Sequence, residues 1–218
     1  MKTLKFGLCL SLITLLFTRC AKEETITSTD TQVGISKVVF FPSIAIKGEH
    51  LIILTQGATF TEPGVTAILN NQPTQFTTTG TVNTATPGVY NLEYEAKNPE
   101  GFSVSDWRTV VVIGNDVEAN NFSGTYLRAA TGVTSTWTKT AAGVYSVENP
   151  GGAAVGAGLK VIAVNYTGNK IAIPKQISPD MGQVSSGSES YTPGPPATVS
   201  YVLFAGGYGT AARTFVKQ

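Results

Sequence analysis

"GVYNLEYEA", residues 88–96, is the stretch that decides the fold. Tyr90, Leu92, Tyr94 and Ala96 alternate with Asn91, Glu93 and Glu95. A period of two, with one apolar face and one wet face, predicts a β-strand that covers a core on one side. Pro87-Gly88 turns the chain into this strand, and Asn98-Pro99-Glu100-Gly101 turns it out. Downstream, "WRTVVVI" at 107–113 is a β-branched run that stops at Gly114. Upstream, "KVVFFP" (37–42), "EHLIILT" (49–55) and "VTAIL" (65–69) read as further strands. Turns at this spacing predict a β-sandwich over residues 35–114.

The polar, turn-prone "GNDVEAN" at 114–120 reads as the join to a second domain, residues 120–218. There 122–128, 143–148, 159–166, 170–174, 197–205 and 213–217 read as strands. Val199, Tyr201 and Leu203 alternate with Ser200, Val202 and Phe204, so that strand is expected to be covered on both faces. No stretch has a convincing helical pattern. The fold class is all-β: one sandwich, then a second antiparallel sandwich or a small barrel.

Composition narrows the function. Of 218 residues, 42% are hydrophobic, enough to bury a core, and only 13% are charged. The formal charge of +1 includes Lys2, Lys5 and Arg19; without them the chain sits near −2. No basic stripe is present to neutralise phosphates, so nucleic acid is not an expected partner. Both cysteines, Cys9 and Cys20, fall in the first twenty residues, which rules out a disulfide framework.

Those twenty residues read MKTLKFGLCLSLITLLFTRC. Lys2 and Lys5 supply a positive start, and the apolar stretch from Phe6 to Phe17 is too short to span a bilayer, which takes about 20 residues. It suits a secretory leader over 1–19. The segment resembles a bacterial lipoprotein signal, in which the cysteine closing the leader is lipidated. Arg19 departs from the usual small residue there, a departure that Bacteroides-type lipoproteins tolerate. The resemblance implies lipidation at Cys20 and anchoring in the outer membrane. Ala21-Lys22-Glu23-Glu24 resembles the signal that sends such proteins to the outward face. One acyl chain holds only marginally and several hold stably. Residues 20–34 then form a lipidated, solvated tether.

The stretch from Gly57 to Val112 carries a second resemblance, to the bacterial Ig-like domain of crystal toxins and cell-surface proteins, and the resemblance implies that fold over 35–114. It rests on Glu62-Pro63-Gly64-Val65, Gly80-Thr81-Val82, Pro87-Gly88-Val89-Tyr90 and Arg108-Thr109-Val110-Val111-Val112. The family often has an acid after its first turn; here the chain reads Ile68-Leu69-Asn70-Asn71-Gln72, and no metal is assigned. The whole layout, with a second domain opening "NFSGTY" and closing "RTFVK", resembles Bacteroides-type surface lipoproteins that accompany glycan-uptake systems. It implies a polysaccharide, or components of an outer-membrane transporter, as partners beside the membrane itself. The alternative is a structural or adhesive module that binds proteins.

Residue chemistry gives little support for catalysis. His50 is the sole histidine, so a His-dependent triad or a His-rich zinc site is not expected. "PGGAAVGAGLK" (150–160) lacks the Gly-Lys-Ser/Thr of a phosphate loop and reads as a hairpin loop, and "AGGYG" (205–209) reads as a turn. Asp180 and Glu189 read as solvated acids in or near a long Ser/Gly/Pro loop, "SPDMGQVSSGSESYTPGPP". The expectation is a non-enzyme with no cofactor. Sugar rings pack on exposed aromatics, and Trp137 in "TSTWTKT" and Tyr191 in the long loop are the two ligand-binding candidates. The plainer and weightier reading makes Trp137 a core residue and lets Tyr191 cover a strand edge.

Overall fold

The computed structural model describes residues 32–33, 36–156 and 158–218. The leader and Cys20 lie outside the described residues. Ahead of Phe40, β1 (Gln32–Val33) and β2 (Ser36–Lys37) pair as a short antiparallel ladder. Residues from Phe40 to Gln218 form one compact unit. No α-helix occurs among the described residues.

The first half of this unit is a sandwich. β3 (Ser43–Ile46), β5 (Val65–Leu69) and β6 (Gln72–Pro73) form one antiparallel sheet. The other sheet has the order β4 (Leu51–Thr55), β9 (Ser103–Ile113), β8 (Gly88–Lys97) and β7 (Phe76–Thr79). β8 contains the alternating stretch: Leu92, Tyr94 and Ala96 are buried, while Asn91 and Glu93 are exposed. Its core meets Val65, Ile44, Ile46, Phe60 and Val82. β4 pairs with β9 in parallel, Leu51 to Thr55 lying against Thr109 to Ile113.

From Trp107 onward every residue of β9 is buried, because both of its faces are covered. Arg108, Val110 and Val112 share the face of Leu92 and Tyr90, their partners on β8 or neighbours of those partners. Val111 and Ile113 lie on the opposite face and pack with Val117 and Val164 of the second half. The polar join therefore has a buried centre: Asn115–Val117 is a 3-10 turn with Val117 fully enclosed. Gly143 (φ +67°) sits where a Cβ would come 2.8 Å from Ile113 Cγ2 and 2.5 Å from the Asn165 carbonyl oxygen. Only glycine fits that close approach.

The second half is a curled nine-stranded antiparallel sheet. Its spatial order is β14 (Lys170–Ala172), β13 (Lys160–Thr167), β12 (Val144–Glu148), β11 (Val133–Ala141), β10 (Gly124–Arg128), β18 (Ala212–Lys217), β17 (Thr198–Phe204), β16 (Gly182–Thr192) and β15 (Gln176–Ser178). Its two ends meet. Ile173 and Ser186 exchange bonds across the gap. The Gln176 amide accepts from the Ile162 N–H and donates to the Ile162 carbonyl, both at 2.8 Å, so a side chain completes the ladder in place of a backbone. The interior is aromatic: Phe122, Tyr126, Trp137, Tyr145, Tyr201 and Phe215 are all buried. The stretch expected to be a long loop is largely strand β16, which corrects that expectation. Ser and Gly have low strand propensity, but β16 is held by backbone pairing with β17 and β15.

Candidate functional site

Trp137 does not face solvent. Its ring is 2% exposed and packs beside Tyr126 and Tyr145, at centroid distances of 6.0 and 5.9 Å. The expectation that it forms a sugar platform is therefore corrected, and the plainer core reading describes it. Its neighbour on the same face, Ser135, is also fully buried because its hydroxyl donates to the Glu148 carbonyl.

Tyr191 lies on β16, half-buried, with one ring face stacked on Phe122 at 3.9 Å. The Tyr191 side chain lines a groove of about 480 Å³ together with Tyr166, Asn169, Lys170, Glu189 and Ser190. Local chain chemistry builds this groove. Ser188 adopts φ +55° in a bulge of β16, and Ser186 Oγ donates to Glu189 Oε1 at 2.6 Å. Opposite, the hairpin between β13 and β14 is pinned from within by Asn165, whose amide donates to the Gly168 and Lys170 carbonyls at 2.8 and 2.9 Å. Asp116 grips the same hairpin through the Gly168 N–H at 2.7 Å and the Thr167 hydroxyl at 3.1 Å. The bond from Gly168 holds its carboxyl below the usual range. Burial, then the charge of Glu189, pushes the Tyr166 phenol up, so Tyr166 stays a neutral donor. Two aromatic rings beside an acid, a base and an amide can pack a sugar face and bond its hydroxyls.

A larger cleft of about 780 Å³ opens between the 150–159 loop and the 205–209 turn, segments whose sequence reads as plain connections. Tyr208 beds directly on the loop backbone: a Cβ at Gly151 or Gly156 would come 2.0 Å from its side chain. Tyr201 donates to the Pro150 carbonyl at 2.6 Å, and Thr131 donates to the Gly152 carbonyl at 2.7 Å. Arg128 and Arg213 line this cleft, with Asp180 exposed beside them. Nothing in the local sequence links these arginines; the pairing of β10 with β18 brings them to one end of the sheet.

His50 precedes β4, 3.0 Å from Asp106 and with its ring 4.7 Å from Trp107. Trp107 also carries the Lys175 ammonium 4.3 Å above its ring and donates to Gln183. Among the described residues no three His, Cys, Asp or Glu side chains converge as metal ligands would.

The class is thus an all-β chain in which an Ig-like sandwich shares its core with a curled antiparallel sheet. Residues 44–112 match the family described as bacterial surface protein, Ig-like domain. The domain is one that bacterial surface proteins carry, and a place at the cell surface follows for this chain. No curated protein sequence matches the chain. Among solved structures it is similar to the crystal structure of the lipoprotein BT2262 from Bacteroides thetaiotaomicron, with 23% identity, 82% of this chain and 100% of that chain covered, and a TM-score of 0.38.

Proposed function

We propose that the chain is a non-catalytic lipoprotein, anchored through Cys20 in the outer membrane and facing outward, that binds glycan as an accessory of a polysaccharide-uptake system. The observation that carries the binding role is the groove in which Tyr191 and Tyr166 stand beside Glu189, Lys170 and Asn169. A glycan-array screen of residues 21–218 tests it. Weak binding to one polysaccharide class is expected, lost in Tyr191→Ala and kept in Tyr191→Phe, which preserves the ring. Equal binding by the wild-type chain and Tyr191→Ala would remove the groove from the proposal. For the anchor, intact-mass analysis of native material is expected to show acyl chains on Cys20, and Cys20→Ser is expected to release the protein from membranes.

A structural or adhesive role has its own support. Phe41 and Phe102 are 64% and 51% exposed, and their rings lie 5.2 Å apart. An exposed aromatic pair suits a protein contact. Loss of surface adhesion in Phe41→Ser/Phe102→Ser, with glycan binding intact, would favour that role.

A further inference from the structure

Arg213 is 5% exposed, and its buried Nε has no hydrogen-bond partner. Its two terminal nitrogens donate only to the carbonyls of Ala211 and Tyr208. Arg128, half-buried, reaches the Gly151 and Gly152 carbonyls at 3.3 and 3.5 Å, near the limit of a hydrogen bond. Among the described residues neither guanidinium is paired with a carboxylate; the ion pairs lie elsewhere, at His50–Asp106, Lys97–Glu95, Arg108–Glu62 and Lys160–Glu148. Two cations thus share one cleft with no counter-charge bonded to either. Burial, and then the charge of Arg128, pushes the Arg213 guanidinium down from its usual range. A charge removed from water without a charged partner is costly, and an arrangement that buries Arg213 in this way beside the half-buried Arg128 is explained most simply by an anion that arrives from outside.

We propose that the cleft between Arg128 and Arg213 binds the carboxylate of an acidic saccharide. The guanidinium is a planar fork that matches an oxyanion at two points. Tyr208 lines the same cleft, half-exposed, with the Arg213 guanidinium carbon 5.3 Å from its ring centre, and its ring edge and hydroxyl are within reach of a bound sugar. Asp180 at the rim accepts from its hydroxyls. Gly206 and Gly207 add no side chains to their part of the cleft wall. The oxyanion part stands on the arginines alone, and the saccharide part rests on the glycan-binding role proposed above.

The test is calorimetric titration of the purified mature chain with trigalacturonate, neutral galactotriose, triglycine and sodium sulfate at fixed ionic strength. Trigalacturonate is expected to bind and galactotriose to bind at least about tenfold more weakly; this comparison uses the unaltered chain and needs no variant to fold. Arg128→Gln is expected to cost about tenfold or more for trigalacturonate, and Arg128→Lys to restore part of it. Tyr191→Ala is expected to leave this titration within about twofold, so failure of the groove and failure of the cleft are told apart. Unchanged binding by Arg128→Gln, or equal binding of the neutral sugar, overturns the proposal. So does binding of triglycine or sulfate without trigalacturonate.

Discussion

Arg108 is a guanidinium with no exposed surface. Its Nε lies 3.0 Å from both oxygens of Glu62, and its terminal nitrogens donate to the Lys47 and Glu49 carbonyls. Arg108→Met takes the donor from the Lys47 and Glu49 carbonyls and leaves Glu62 with only the Gly64 N–H, and it is expected to cost about 3–5 kcal/mol in denaturant unfolding, more than Glu62→Gln. Beside this network, burial and then Glu62 push the Tyr94 phenol up to about 12, against the opposing pull of Arg108. Burial likewise raises Tyr126, Tyr145, Tyr166, Tyr191 and Tyr201. In the unfolded chain these phenols lose protons near pH 10. Between that pH and their folded values the native state holds more protons than the unfolded one, so stability is full below pH 10 and falls above it. Alkaline titration followed at the phenolate absorbance is expected to show most tyrosines ionising together as the protein unfolds. Independent titration of all eight near pH 10 would contradict this. At this scale a strand residue such as Tyr94 was readable from its alternation. Trp137 was harder to read: its flanking threonines and serine look wet, yet Ser135 is buried by one bond to a neighbouring strand.

Strand β15 is only three residues long, and its contribution comes mainly through one side chain. Gln176→Ala would strip partners from both the N–H and the carbonyl of Ile162, as well as from the Pro174 carbonyl. A loss of about 2 kcal/mol is expected, with faster amide exchange at Ile162 while the sandwich amides stay protected. No change at Ile162 would show that the sheet closes without this amide. β15 and β16 are the elements least legible in the sequence. Long-range pairing maintains them, a bulge at Ser188 interrupts β16, and Ser/Gly composition hides both features. β8 and β9 stand at the other extreme, because an alternating run and a β-branched run each announce which faces they cover. The arginine cleft was illegible for a topological reason. Arg128 ends β10 and Arg213 is the second residue of β18, and only the sheet order makes those strands neighbours.

Across the whole molecule, the sandwich and the curled sheet share an apolar cluster of Val111, Ile113, Val117 and Val164. The Trp107–Gln183 bond adds a polar tie. Residues from Phe40 onward are therefore expected to melt in a single calorimetric transition. Val164→Asp places an unpaired charge in that cluster and is expected to split the transition into two or lower it sharply. Two resolved transitions in the unaltered protein would show that the halves fold independently. The parallel pairing of β4 with β9 has a mechanical consequence. Tension that enters ahead of β4 and leaves after β9 drags the two strands along their length in opposite directions. The five rungs between them must then break together and cannot be unzipped one by one. A molecule tethered at one end and gripping a large polymer at the other would resist the pull of flowing fluid through that ladder.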